Sequence, residues 1–157
     1  MSLMTSKTET KIKELGFNLP EIVNPIASYV PAKQVGNLIF TSGQLPMVKG
    51  ELISTGLLGK EIEIEEGIRA AQVCTLNGLA AIKGLIGDLD QIKQIVRVVG
   101  YVASNPNFSQ QPAVVNGASN LLLEIFGEAG KHARSAVGMV ALPLNASVEI
   151  ELTVEVY

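Results

Sequence analysis

Arg134 is the residue of this chain whose surroundings most clearly call for chemistry. It opens the apolar run Ala133-Arg134-Ser135-Ala136-Val137, so its guanidinium is expected to be partly buried. A partly buried Arg needs an anionic partner, because leaving the charge unpaired costs roughly 3–5 kcal/mol. Downstream stand two acids, Glu149 and Glu151, and either could close a structural ion pair with it. The alternative partner is a ligand carboxylate, held bidentately by charge-assisted hydrogen bonds worth about 1.5–3 kcal/mol. A Glu nearby could then orient a water. Three further places deserve weighing. Ser42-Gly43 follows the apolar Leu38-Ile39-Phe40, where a glycine either admits a ligand close to the backbone or marks a plain bulge. Tyr29, beside Val30, is either a packing residue or part of a cleft. Asn116 and Asn120 are four apart and so share a helix face.

Several chemistries drop out. No GxGxxG follows a strand and no GxxxxGK[ST] occurs, which removes the dinucleotide and P-loop readings. One His and one Cys cannot build a conventional zinc site. GxSxG is absent, and His132 has no Ser or Asp partner at a recognisable spacing. Cys74, among Ala70, Val73 and Leu76, reads as inert helix filler. No metal and no cofactor are expected. Twelve Lys and Arg are scattered against 15 acids, giving a net charge of −3. Without a basic stripe there is no local positive field to attract nucleic acid. No run reaches the ~18 apolar residues of a membrane span. A single Cys excludes an internal disulfide and fits a reducing, cytoplasmic location. Residues 1–3 read as an expression scar before Met4, with no signal pattern.

The elements that must position these residues follow from periodicity. Residues 5–15 predict a surface helix capped by Ser6 or Thr8 and stopped by Gly16. Three prolines make 17–31 an irregular lead-in. Gly36-Asn37 predicts a hairpin between 32–35 and 38–41, and Lys49-Gly50 a second one between 45–48 and 51–53. Ile64, Ile68, Ala71, Thr75, Leu79, Ile82 and Ile86 form one apolar stripe, a helix over 65–86 ended by Gly87. Residues 92–103 predict a long strand with both faces covered, one of them by a neighbouring subunit. Ser109 can cap a second helix over 110–126. The run from Ala133 to Leu142 and the alternating run 148–156 then predict two antiparallel strands, joined by turn chemistry at Pro143 and Asn145. In the last strand Val148, Ile150, Leu152, Val154 and Val156 face the core, and Glu149, Glu151, Thr153 and Glu155 face away.

At 157 residues these elements make one domain over 1–157, with 4–30 as an N-terminal extension. The order predicts an α+β fold, a mainly antiparallel sheet with both long helices on one face. A mean hydropathy of +0.32 is high for a soluble monomer of this size. The excess predicts a subunit interface and hence a homo-oligomer.

Three stretches resemble one known family. They are Gly36-Asn37-Leu38-Ile39-Phe40-Thr41-Ser42-Gly43-Gln44-Leu45-Pro46, then Ala133-Arg134-Ser135 with Leu142-Pro143, then Val148-Glu149-Ile150-Glu151. They are similar to the Rid (reactive intermediate deaminase) or YjgF family over roughly residue 29 to the C-terminus. The resemblance implies a chorismate-mutase-like fold and a barrel-like homotrimer with clefts between subunits. It implies hydrolysis of enamine and imine acids, such as 2-aminoacrylate, to 2-keto acids and ammonia. Arg134 matches the family's carboxylate-binding arginine, and Glu149 the acid that positions the attacking water. Tyr29, Ser42, Gly43 and Asn116 match residues lining the cleft. Ala136 stands where many relatives carry a Cys, so thiol chemistry does not transfer. The implied partners are a small carboxylate-bearing imine or keto acid and further copies of the chain. Rival expectations are a non-catalytic binder of small carboxylic metabolites and, against the acidic charge, the ribonuclease activity attached to some relatives.

Overall fold

The computed structural model describes residues 6–22 and 27–157. The expected scar at 1–3 lies outside the described residues, as does the centre of the proline-rich lead-in at 23–26. Helix α1 spans Lys7–Glu14, with Ser6 as the cap that accepts from the Glu9 amide. Strands β1 (Ala32–Val35) and β2 (Leu38–Thr41) form the expected hairpin, and Gly36 takes a left-handed φ of +59° in its two-residue loop. Strands β3 (Met47–Val48) and β4 (Glu51–Leu52) make a separate small hairpin, turned by Lys49 and Gly50. Then come α2 (Ile64–Ile86), β5 (Ile92–Ala103), α3 (Gln111–Phe126), β6 (Ala133–Met139) and β7 (Val148–Val156). Ser109 does not cap α3; the cap is Gln110, with no side-chain bond.

The main sheet has the order β1-β2-β7-β5-β6. Alternation on β7 places Val148, Ile150, Leu152, Val154 and Val156 in the core, all buried. Against them pack Ala71, Cys74, Leu79 and Ile82 of α2 and Val114, Val115, Ala118 and Leu122 of α3. Burying each larger aliphatic side chain contributes roughly 1.5–3 kcal/mol. The helices therefore cover one face, and the sheet's outer face stays open. Close approach of α3 to α2 requires Gly117, where a Cβ would sit 2.4 Å from the Ile68 carbonyl oxygen.

One expectation is overturned. Strands β6 and β7 are not an antiparallel pair: β6 runs parallel to β5, which lies between them. The reason is the connection. A 16-residue helix joins β5 to β6, and such a crossover returns the chain in its original direction, as parallel strands require. The sheet is thus mixed and mostly antiparallel. The long strand β5 also turns only one face to the protomer's core, with Arg97, Val99 and Tyr101 on the open face.

Candidate active site

Arg134 pairs with Val98 of β5, and its side chain lies on the helix-covered face. There Nη1 donates to Asn116 Oδ1 at 2.8 Å and to Ser119 Oγ at 3.2 Å. Asn116 and Ser119 are three apart on α3 and so project from the same flank. Among the described residues no carboxylate lies within ion-pair distance of Arg134. The internal ion pair weighed from sequence is therefore not formed within the protomer. Two neutral oxygens hold the cation, and Nη2 and Nε have no hydrogen-bond partner among the described residues.

The acids lie elsewhere. Glu149 and Glu151 alternate onto the open face, so the sheet itself separates them from Arg134. Two strand spacings, roughly 10 Å, add to that separation. Within the protomer Arg134 therefore does not hold Glu149 ionised. Partial burial, and then the charge of Glu151, raise the Glu149 pKa above its ordinary value. Glu151 accepts a 2.6 Å bond from the Tyr101 hydroxyl, and the phenol is pushed up to about 12 by that bond, by burial and by the two acids.

Ser42 and Gly43 are brought to Glu149. Phe40 pairs with Thr153 and Gln44 with Ile150, so the β2 side carries one residue more than β7 between these points. The result is a bulge at Ser42-Gly43. A Cβ on Gly43 would lie 2.8 Å from Glu149 Cδ, so the glycine makes room for the carboxylate. Ser42 Oγ donates to the Val30 carbonyl at 2.6 Å, and its amide donates to Pro31. These bonds tie down the segment bearing Tyr29. Tyr29 and Ser42 share an open depression of about 440 Å³ with Lys33 and Phe40. Tyr29 is 58% exposed, so it is not a packing residue of this protomer.

The predicted residues thus form two groups on one protomer. Tyr29, Ser42, Gly43 and Glu149 gather at the β2–β7 end, and Arg134 and Asn116 at the β6 edge. Asn120 is exposed and makes no side-chain hydrogen bond among the described residues. Sequence reasoning missed Ser119, although its i,i+3 spacing from Asn116 was a usable signal. It also missed that Ser119 is the partner of His132, at 2.8 Å between Oγ and Nε2. A helix residue and a loop residue 13 positions apart carry no local signature of contact.

Residues 9–156 match the family described as "YjgF/chorismate mutase-like, putative endoribonuclease". The chain belongs to this family. Protein TCP17 of Trypanosoma cruzi is 39% identical over 99% of this chain and 98% of its own length. A protein of Dermatophagoides farinae named 2-iminobutanoate/2-iminopropanoate deaminase is 32% identical, covering 84% of this chain and 88% of its own. The crystal structure of Atu1372 from Agrobacterium tumefaciens, a protein of unknown function, superposes with a TM-score of 0.90 at 48% identity. That match covers 96% of this chain and 93% of Atu1372. The YjgF-like chain described here accordingly has the family's α+β fold. No helix among its described residues is long and apolar enough to cross a membrane.

Proposed function

We propose that this YjgF-family chain is a cofactor-free deaminase of short imine and enamine acids, yielding 2-keto acids and ammonia. The observation that carries the reading is Arg134, a cation held by two neutral oxygens with no carboxylate in reach among the described residues. Such a guanidinium suits the carboxylate of a small acid. The 32% identical relative named as an imine deaminase supports the reaction class.

The separation of Arg134 from Glu149 supports a site between subunits of a homotrimer. The edge of one protomer set against the open face of another brings the two groups together. That open face carries Val35, Leu38, Phe40, Val137 and Met139, all exposed, which a neighbouring copy would cover. In the resulting cleft Arg134 fixes the carboxylate and so holds the C=N carbon beside a water. Glu149 takes a proton from the water as its oxygen bonds to that carbon. The proton passes to nitrogen, giving a carbinolamine; its hydroxyl proton then moves to nitrogen by way of Glu149 as C=O forms, the C–N bond breaks and ammonia leaves. A carboxyl with a raised pKa is the better acid–base catalyst near neutral pH.

Keto-acid release from 2-iminopropionate, generated in a coupled assay, tests the proposal alongside the mass of the assembly in solution. The expected result is acceleration over the uncatalysed reaction by a trimer, lost in Arg134→Ala. Full rates in that variant refute the mechanism, and pyruvate binding without turnover would make the protein a carboxylate binder.

A further inference from the structure

Ser119 and His132 have no role in the chemistry proposed above, yet Ser119 is bonded to its central residue and His132 to Ser119. His132 Nδ1 lies 2.6 Å from the Gly130 carbonyl oxygen, and Nε2 lies 2.8 Å from Ser119 Oγ. A carbonyl oxygen only accepts, so Nδ1 carries the proton and Nε2 of the neutral ring must accept. The Ser119 hydrogen therefore points at His132, and the Ser119 lone pairs face Arg134 Nη1, 3.2 Å away. Without the ring, a helical serine has another partner to turn to, the carbonyl one turn back.

The far end of this relay is itself held. A Cβ on Gly130 would lie 2.4 Å from the Leu122 carbonyl oxygen, so the turn Gly127–Gly130 is pressed against the end of α3. The order of contact runs from α3 through the Gly130 carbonyl, His132 and Ser119 to the guanidinium. Asn116 Oδ1 takes the same Nη1 at 2.8 Å. With Nη1 tethered twice, the Nη2–Nε edge has no partner among the described residues. That edge matches the two oxygens of a carboxylate.

A nucleophilic role for Ser119 fits the geometry poorly. Ser119 sits well inside α3, whose amides are consumed by the helix, so no pair of free N–H groups can form an oxyanion hole beside it.

We infer that Ser119 and His132 are positioning residues for Arg134, setting which edge of the guanidinium meets the substrate carboxylate. The inference rests on the reading of Arg134 as the carboxylate binder. The full-length protein is compared with Ser119→Ala, His132→Phe and His132→Gln, by pyruvate calorimetry and by keto-acid release from 2-iminopropionate. Ser119→Ala and His132→Phe each raise KM and the pyruvate Kd about tenfold, with kcat within about twofold. His132→Gln recovers most of the loss, because its amide oxygen can accept from Ser119 where Nε2 did. Folded variants that keep wild-type KM and Kd overturn the inference, as does a fall in kcat at constant KM. Should His132→Phe fail to fold, Ser119→Ala decides, since it removes one atom from a half-buried helix position. A wild-type protein that neither binds pyruvate nor releases keto acid overturns the assignment of Arg134 and this inference with it.

Discussion

Asp90 is exposed and Glu149 is half-buried, yet the exposed carboxylate is the better held of the two. Asp90 accepts from the Thr8 and Lys7 amides at 2.8 and 2.9 Å and from the Thr8 and Ser6 hydroxyls at 2.7 and 3.1 Å. It lies at the N-terminus of α1, where the helix dipole also favours an anion. Burial raises its pKa, but these donors outweigh that and bring it down to about 2. Glu149 is raised by burial and by Glu151. One acid fastens a helix to the body of the protein. The other is kept short of partners beside a glycine that leaves it room, as suits the acid–base role proposed for it. Arg134 belongs with Glu149 in this contrast, because neutral oxygens orient it without cancelling its charge.

The sharpest way to break the contrast is Arg134→Ala. It should cut kcat/KM for 2-iminopropionate by about 100-fold or more, on the order of 3 kcal/mol of transition-state binding. Its thermal unfolding should stay close to wild type.

Glu149→Gln should lower kcat about 100-fold, within the usual range for loss of a general acid–base group. It should also raise Tm at neutral pH by a degree or two. The folded pKa of Glu149 lies above the unfolded one, so its favourable contribution is present at low pH and lost as pH rises through the folded value. The gain from Gln should therefore vanish in acid. A variant less stable at neutral pH would show Glu149 to be structural.

Gly43→Ala should displace the Glu149 carboxylate and lower kcat about tenfold, with less than about 1 kcal/mol of stability change. The displaced atoms are the end of a flexible side chain, and the backbone there needs no left-handed φ. Equal loss of activity and stability would instead mark a packing defect.

Asp90→Asn should be the smallest change. It should cost about 1 kcal/mol in urea unfolding, as suits an exposed cluster of charged hydrogen bonds. Because the folded pKa lies below the unfolded one, that cost should be seen above about pH 4 and fade as pH falls toward about 2. Keto-acid release should be unaffected.

Much of this was legible beforehand. The stripe on α2, the alternation on β7 and the hairpin at Gly36-Asn37 all express contacts between a residue and its near neighbours along the chain. Gly43 and Ser42 could be picked out because a small polar pair directly after an apolar strand is a local anomaly. Arg134 stood out for the same kind of reason, a cation inside an apolar run. Ser119 and Tyr101 did not, since their partners, His132 in the connection before β6 and Glu151 on β7, lie elsewhere in the chain and no local pattern pairs them.

By itself, then, the sequence determined which residues lie inside and which outside on α2 and β7, because that parity depends only on spacing. It could not determine which strand lies beside which. Pairing β6 with β5 through the α3 crossover moved Arg134 two strands away from Glu149 and onto the other face. Strand adjacency is settled by contacts far apart in the chain, among alternatives that local periodicity leaves equal in energy. Only the tertiary structure could therefore decide that this arginine and this glutamate do not meet within one protomer.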